Sequence, residues 1–274
     1  MLRQFLLALA ASCVISTPVS ASSSDAATAL QSVLGAQHRQ ASSARDGYRH
    51  PAETLAFFEV QPEMTVVEIW PGSGGWYTEI LAPWLRNEGT FYAAQFDVSV
   101  PGYYQRSVEA FRDKLNAAPW LYDQVQVTTF SPPALLEIAP AGTADRVLTF
   151  RNVHNWYMRG GGEEKVLAAF SAFFKALKPG GMLGVVDHRL PESRPAADME
   201  ASGYMHQSFV IAMAERAGFK LVASSEINAN PNDNADHPNG VWSLPPTLRG
   251  GDEQRDKWLA IGESDRMTLK FIKP

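Results

Sequence analysis

Short β-branched runs alternate with longer apolar stretches of helical spacing along most of the chain. Residues 65–69 read Thr-Val-Val-Glu-Ile, which is typical of a buried strand, whereas the apolar positions of 163–177 recur at helical spacing. The same reading predicts seven strands, at 65–69, 90–95, 125–130, 146–150, 182–187, 219–224 and 267–272. Strands that alternate with helices favour a mostly parallel sheet covered by helices on both faces.

The pattern also divides the chain into segments. Residues 22–50 are predicted to be an N-terminal extension with one short helix, and Pro51 suits the first turn of the next helix. Residues 51–274 then form one α/β domain. Within it, 227–251 is a long Asn-, Pro- and Gly-rich insertion between the last two strands, and such a loop in a compact domain is predicted to be a functional cover.

The first 21 residues have the pattern of a secretory signal peptide. Arg3 precedes an apolar stretch at 5–15, and Val19 and Ala21 place small residues before a cut after Ala21. A buried helix or a membrane anchor is the alternative. Cys13 is the chain's single cysteine and would leave with the leader, so the mature chain would suit an oxidising compartment. We expect a periplasmic or secreted protein.

Composition narrows the classes of partner. The formal net charge is -5, so the chain lacks the basic excess of a general nucleic-acid surface. One cysteine excludes an intramolecular disulfide and any metal site built from several cysteines. Beyond the leader no apolar run approaches the roughly 18 residues of a membrane span. The expected partner is therefore a small molecule, and the oligomeric state is left open.

A glycine-rich turn follows the first predicted strand, at Pro71-Gly72-Ser73-Gly74-Gly75. In parallel sheets ligands bind at the carboxyl ends of strands, where such a turn lets backbone approach a ligand at a helix N-terminus. A tight strand-to-helix connection without a ligand is the alternative. Together with Leu177-Lys178-Pro179-Gly180-Gly181 before the fifth strand, the segment Glu68-Ile69-Trp70-Pro71-Gly72-Ser73-Gly74 resembles the class I S-adenosylmethionine-dependent methyltransferases.

This resemblance covers roughly residues 51–274, and it is strongest for the secreted or periplasmic predicted methyltransferases of bacteria. It implies a Rossmann-like fold with a seven-stranded sheet, and S-adenosylmethionine as cofactor. The cofactor-binding residues that it implies are Glu68, Trp70, Pro71, Gly72, Gly74, Gly75, Gln95 and Asn152.

Two of these positions depart from the family pattern. Trp70 stands where the family has the first glycine of its loop, and Gln95 stands where it has an acidic residue for the ribose hydroxyls. Glutamine can accept one hydrogen bond there but carries no charge. Both departures favour a rival interpretation, in which a secreted protein on this scaffold has lost or changed its cofactor.

The fourth and fifth strands are followed by polar segments, at 151–157 and 187–189. Adjacent parallel strands end at one edge, so we expect His154, Tyr157, Asp187 and His188 to flank one pocket as catalytic candidates. Three interpretations stay open: a histidine acts as general base, His154, Asp187 and His188 bind a divalent metal, or these residues only tie loops to the sheet.

The resulting prediction is methyl transfer from S-adenosylmethionine to a small acceptor. That acceptor is anionic if the guanidinium groups of Arg151 and Arg189 clamp it, and the alternative for each arginine is a salt bridge. A non-catalytic or metal-dependent protein on the same scaffold is the rival. His237, within the insertion, is expected on the surface, and the alternative is that it reaches the site.

Overall fold

The structure, a computed structural model, describes residues 23–274. The predicted leader lies outside these residues. The strands are β1 Thr65–Ile69, β2 Thr90–Gln95, β3 Gln126–Thr129, β4 Ala144–Phe150, β5 Leu177–Leu190, β6 Met205–His206, β7 Lys220–Ser225 and β8 Arg266–Ile272. Each of the seven predicted strands is present, and β6 is a short addition.

Helices separate most of these strands. They are α1 Ser23–Leu34, α2 Asp46–Arg49, α3 Pro51–Phe57, α4 Thr78–Leu85, α5 Tyr103–Ala117, α6 Pro119–Tyr122, α7 Val153–Tyr157, α8 Gly162–Ala176, α9 Asp198–Ser202, α10 Gln207–Arg216 and α11 Arg255–Ile261, with short 3₁₀ turns at Gln37–Arg39, Ser43–Arg45 and Gly240–Ser243. Within residues 23–274, none of the helices combines the length and apolar character that crossing a bilayer requires.

The strands form a single twisted sheet in the order β3-β2-β1-β4-β5-β8-β7, with β6 attached to the end of β5. Strands β1 to β5 pair in parallel, and β8 runs antiparallel to both β5 and β7. The mostly parallel α/β sheet predicted from the sequence is therefore confirmed. Because the chain leaves β1 for β2 on one side and returns to β4 on the other, a crevice opens between the carboxyl ends of β1 and β4.

Two apolar cores cover the two faces of the sheet. Successive residues of β1 alternate between them, with Val67 and Ile69 in one core and Val66 in the other. Helices α7, α8 and α10 pack on the first face through Trp156, Phe170 and other side chains of the first core. Helices α4 and α5 cover the opposite face. Both faces being covered explains why the central strands read as continuous apolar runs.

The N-terminal segment belongs to the packed structure. Helix α1 packs against α4 and α3, and Leu30 lies in the second core. The extension was predicted to hold one short helix, but it also contains the short helix α2, whose last residue, Arg49, is buried. This segment therefore reaches the carboxyl-end side of the sheet.

Candidate functional site

A cleft of about 960 Å³ lies at the carboxyl ends of β1 and β4. One end is walled by residues 70–75, which we call the glycine turn, together with aromatic side chains after β2. The other end is walled by Arg45, Arg49 and Arg151, which with Arg249 we call the arginine end. This position is the switch point at which open parallel sheets bind their ligands.

The glycine turn presents backbone to the cleft. Gly72 has φ 71°, a left-handed conformation that favours glycine, and a Cβ added there or at Gly74 would meet no atom within 4 Å. Pro71 also lines the cleft. Gly75 is constrained from behind, because its φ is 53° and an added Cβ would lie 2.7 Å from the Phe111 ring. The turn is therefore held from outside and open on the cleft side.

Glu68 is buried beneath this turn and does not line the cleft. Its Oε2 accepts a hydrogen bond of 2.7 Å from the Thr78 hydroxyl at the start of α4. Burial raises the pKa of Glu68 to about 7, against a smaller opposing effect of that hydrogen bond. The carboxyl group thus connects β1 to α4 behind the turn.

Trp70 extends its indole across the ends of the neighbouring strands. Its backbone has φ 48°, and its Nε1 donates a 2.8 Å hydrogen bond to the carbonyl of Phe130 after β3. The indole packs against Phe96 at 4.8 Å and Trp156 at 5.5 Å between ring centroids. Its ring therefore occupies space between the carboxyl ends of β1, β2 and β3, and one side of it lines the cleft.

Gln95 has both polar atoms engaged within the protein. Its Nε2 donates to the Gly72 carbonyl at 2.9 Å, and its Oε1 accepts from the Phe96 amide at 3.0 Å. The side chain is buried and braces the glycine turn from behind. Asn152 does line the cleft, while its Nδ2 donates to the Ile69 carbonyl at 2.8 Å.

His154, Asp187 and His188 are brought together as expected. The Asp187 carboxylate is fully buried and accepts from His154 Nδ1 at 2.9 Å, from the His154 amide at 3.1 Å and from the His188 amide at 2.8 Å. A carboxylate oxygen accepts hydrogen bonds, so Nδ1 of His154 is the donor in this contact and Nε2 is the ring nitrogen left for another partner. This arrangement suits a general base.

The two imidazoles line a chamber of about 210 Å³. It shares six lining residues with the larger cleft: Arg45, Arg49, Arg151, Trp242, Pro246 and Thr247. His188 Nδ1 lies 2.5 Å from the Ser264 hydroxyl. Burial, and then the neighbouring His154, hold the pKa of His188 well below its usual value near 6.5. His188 is therefore neutral at pH 7, although it keeps some surface open to the chamber.

A metal could be held by one ligand atom each from His154, Asp187 and His188, because these atoms lie within 4.8 Å of one another. Two features oppose this arrangement. Asp187 already accepts three hydrogen bonds, and Arg151 and Arg266 are close enough to depress the pKa of His188. Fixed positive charges beside a site disfavour a cation in it.

Other predicted residues lie elsewhere. Tyr157 does not line the cleft or the chamber: residues 153–157 form helix α7 rather than a loop, and the Tyr157 ring packs edge-on against Phe209 at 5.0 Å. Arg189 forms salt bridges to Asp265 and Glu226 at 2.8 and 2.7 Å. His237 is not on the surface, because its side chain is 2 % exposed and bonds to Asp233 at 2.8 Å.

Sequence reasoning missed much of the arginine end. Arg45 and Arg49 come from the N-terminal extension, and Trp242 and Arg249 come from the 227–251 insertion, which does cover the cleft. Arg249 stacks on Trp242, with its guanidinium carbon 5.0 Å from the ring centroid. The only indication of this end in the sequence was that arginines occur in a segment whose apolar positions do not follow the spacing of a buried helix or strand.

Comparison with known proteins supports the fold. No protein-family model matches the chain, and neither does any curated protein. A SAM-dependent methyltransferase from Aquifex aeolicus is similar in structure, with a TM-score of 0.56, 15 % identity, and 84 % of this chain and 93 % of that one covered. The fold is that of the class I methyltransferases.

Two further similar structures have the same architecture. One is the [4+2]-cyclase SpnF, with a TM-score of 0.57, 15 % identity, and coverage of 82 % of this chain and 81 % of that one. The other is a sarcosine dimethylglycine methyltransferase from Galdieria sulphuraria, with a TM-score of 0.55, 13 % identity, and coverage of 85 % and 87 %. At such identities the likeness establishes the methyltransferase fold and nothing finer.

The cleft fits S-adenosylmethionine by size and by its glycine turn. A volume of about 960 Å³ lies in the range of small-molecule sites, and the open space at Gly72 and Gly74 leaves backbone bare for close approach. Gln95 was expected to bind the ribose hydroxyls. Instead, both polar atoms of its amide are bonded within the protein.

Proposed function

We propose that the protein is an S-adenosylmethionine-dependent methyltransferase acting on a small acceptor. One observation carries this proposal: the cleft at the glycine turn adjoins the chamber lined by His154, and the two share Arg45, Arg49 and Arg151 among their walls. Donor and acceptor would then meet between these two ends. Holding two reactants in this way supplies much of the rate of a displacement.

The chain's own residues have separate tasks in this proposal. Gly72 and Gly74 accept the donor along their backbone, and Asn152 lines the same cleft. When bound, S-adenosylmethionine supplies an activated methyl group. His154 Nε2 takes the proton from the acceptor, and the Asp187 carboxylate orients the ring and stabilises the imidazolium that forms.

Calorimetric titration with S-adenosylmethionine and S-adenosylhomocysteine tests the proposal. We expect both ligands to bind, since both carry the nucleoside and the amino acid. Trp70→Gly should bind at least as tightly, because glycine suits φ 48° and removes the indole from the crevice. The change deletes the Trp70–Phe130 hydrogen bond, so its folding is checked by circular dichroism.

Trp70 and Gln95 favour a second candidate, a protein that keeps the methyltransferase scaffold without using the donor. The indole fills space between the strand ends, and the Gln95 amide faces the Gly72 carbonyl. The cyclase named among the similar structures is an example of this fold under another activity. If neither the natural protein nor Trp70→Gly binds either ligand, this candidate replaces the methyltransferase.

We also propose that the protein is exported and acts outside the cytoplasm on a small molecule, without nucleic acid and without stable membrane insertion. The pattern of Arg3, residues 5–15 and Ala21 supports export. Mass spectrometry of protein from its natural host should find a mature N-terminus at Ser22. A full-length chain in the cytoplasm would contradict export, and it would place the protein where the donor is made.

A further inference from the structure

Positive charge dominates the walls of the cleft. Five arginines line it, and among residues 23–274 no aspartate or glutamate does; the arginines are Arg45, Arg49, Arg151, Arg159 and Arg249. The protein as a whole carries a net charge of -5, so this concentration of cations runs against its composition. A cavity lined by one sign of charge focuses its field on a ligand of the opposite sign.

Glu263 is the single acidic residue of the adjoining chamber, and several cations share it. Arg45 Nε donates to Oε1 at 2.6 Å, while Arg266 Nη1 and Arg49 Nε lie 3.2 and 3.5 Å from Oε2. These cations lower the pKa of Glu263 to about 2 despite its burial, so it is ionised. One carboxylate thus faces three arginines and leaves the group with a net positive charge.

Arg49 has unused hydrogen-bond donors in the protein interior. The residue is 2 % exposed. Its Nε is ion-paired with Glu263 without forming a hydrogen bond, and its Nη1 has no hydrogen-bond partner among the described residues. Its guanidinium lies over the Trp76 ring at 4.5 Å, which holds it in place. Burying a cation without enough partners is costly, so these donors call for an acceptor that the protein does not provide.

Arg151 is a second cation without a partner at this end. Its backbone has φ 62° and is held by a 2.6 Å hydrogen bond from its amide to the Val186 carbonyl. Its side chain makes no hydrogen bond or ion pair with any described residue, and it lines both the cleft and the chamber. The proximity of Arg151 adds to burial in lowering the pKa of Arg49 to about 8. Like charges held together in this way are relieved by a bound anion.

We propose that the arginine end binds a dianionic oxyanion group of the phosphate-monoester class, with Arg49 and Arg151 donating hydrogen bonds to its oxygens. As a statement about the acceptor, this inference rests on the proposed methyl transfer: the phosphate group would be held at Arg49 and Arg151, with the nucleophile directed toward His154. Guanidinium groups bind phosphate with paired, charge-assisted hydrogen bonds, and a dianion matches the surplus of charge around Glu263.

Calorimetry without any methyl donor tests this site. Glycerol 3-phosphate is the probe, inorganic phosphate and succinate are the comparisons, and ionic strength is held constant. We expect glycerol 3-phosphate to bind more tightly than succinate. Arg151→Gln should weaken that binding about 10- to 100-fold, which is the contribution that charge-assisted hydrogen bonds typically make to affinity. Arg216→Gln is the matched control, because Arg216 is an exposed arginine paired with Glu163.

Arg49→Gln should have a similar effect, and the melting temperature of each variant is compared with and without the probe. If Arg49→Gln does not fold, Arg151→Gln alone decides. Absence of binding to the natural protein, or binding that Arg151→Gln leaves unchanged, would overturn the site. Tighter binding of succinate would overturn the phosphate class. If S-adenosylmethionine binds and the anion does not, this inference is wrong and the proposed methyl transfer stands. If the anion binds and S-adenosylmethionine does not, the methyl transfer is wrong and the anion site stands.

Discussion

The two ends of the cleft are built in different ways. The glycine turn is one stretch of chain, residues 70–75, and it offers mainly backbone to a ligand. The arginine end is gathered from three distant segments, which contribute Arg49 from α2, Arg151 after β4, and Arg249 from the insertion. The first end is a local conformation, whereas the second exists only after the chain has folded. The comparison teaches that local backbone conformation sets the first end, whereas contacts between distant segments of the chain set the second.

The largest expected effect lies at the histidine chamber, where the arginine end meets the reaction centre. His154→Ala should lower the rate of S-adenosylhomocysteine formation about 100- to 10,000-fold, the usual worth of a general base. Donor affinity should hardly change, because His154 does not line the part of the cleft at the glycine turn. The rate is followed with an acceptor present, and donor affinity is followed by calorimetry.

Tyr157→Phe is the control for His154→Ala. Its ring packs on Phe209, and phenylalanine keeps that contact, so turnover should be unchanged. A loss in Tyr157→Phe as large as that in His154→Ala would contradict the structure's separation of Tyr157 from the site.

Beneath the glycine turn, Glu68→Gln should stabilise the protein in a pH-dependent way. The folded pKa of about 7 lies above the ordinary value of 4.5, so the folded state binds the extra proton and the stability penalty of Glu68 grows as pH rises between these values. Glutamine removes the penalty and still accepts from Thr78. The gain in free energy of unfolding should rise from about 1 kcal/mol at pH 5 to about 3 kcal/mol at pH 8.

Urea denaturation at the two pH values measures this gain, with Glu253→Gln, at an exposed position, as the control. A gain in Glu68→Gln that does not depend on pH would show that the carboxyl is not buried as described.

Neighbouring glycines of the turn should respond differently to alanine. Gly74→Ala places a methyl group in open cleft space, so it should leave stability unchanged and weaken donor binding by about 1–3 kcal/mol through crowding. Gly75→Ala meets Phe111 at a positive φ, so it should destabilise the fold instead. Gly47→Ala, where an added Cβ meets nothing and lies outside the cleft, is the control.

Calorimetry and thermal melting separate the two outcomes. Equal donor affinity in Gly74→Ala and the natural protein would mean that the donor does not lie against the turn.

The smallest expected effect is at the rim of the arginine end. Arg249 is exposed and stacks on Trp242, so Arg249→Gln should change stability by less than about 0.5 kcal/mol. It should weaken glycerol 3-phosphate binding about threefold, less than Arg151→Gln does, because exposed charges are screened by water and salt. If Arg249→Gln costs more affinity than Arg151→Gln, the anion sits at the rim rather than at the buried pair.

Much of the fold followed from local sequence. The β-branched run 65–69 and the glycine-rich turn after it appear where the structure has a strand and a turn. Lys178-Pro179-Gly180-Gly181, expected before the fifth strand, lies instead within β5, which begins at Leu177. The meeting of His154, Asp187 and His188 was also predictable from the parallel order of β4 and β5. Strand β5 is longer than expected and contains Asp187 and His188, but its pairing with β4 stops at Phe150 and Val186, directly before the segment of His154. The prediction that Tyr157 flanks the pocket was wrong, because the helical turn of α7 directs its ring toward α10. The sequence spacing of residues 151–157 did not indicate that direction.

The sequence by itself determined what depends on neighbours along the chain: the alternation of strands and helices, the left-handed turn that needs glycine at 72, and the order in which strand ends carry polar residues. Only the tertiary structure decided that Arg45 and Arg49 fold back from the N-terminal segment beside Arg151, that Gln95 turns its amide to the Gly72 carbonyl, and that the insertion places Arg249 in the wall of the cleft. The physical reason is the distance along the chain over which each effect acts. Backbone preferences act over a few residues, whereas the packing and charge that shape a site depend on contacts between residues far apart in sequence, such as Arg45 and Glu263.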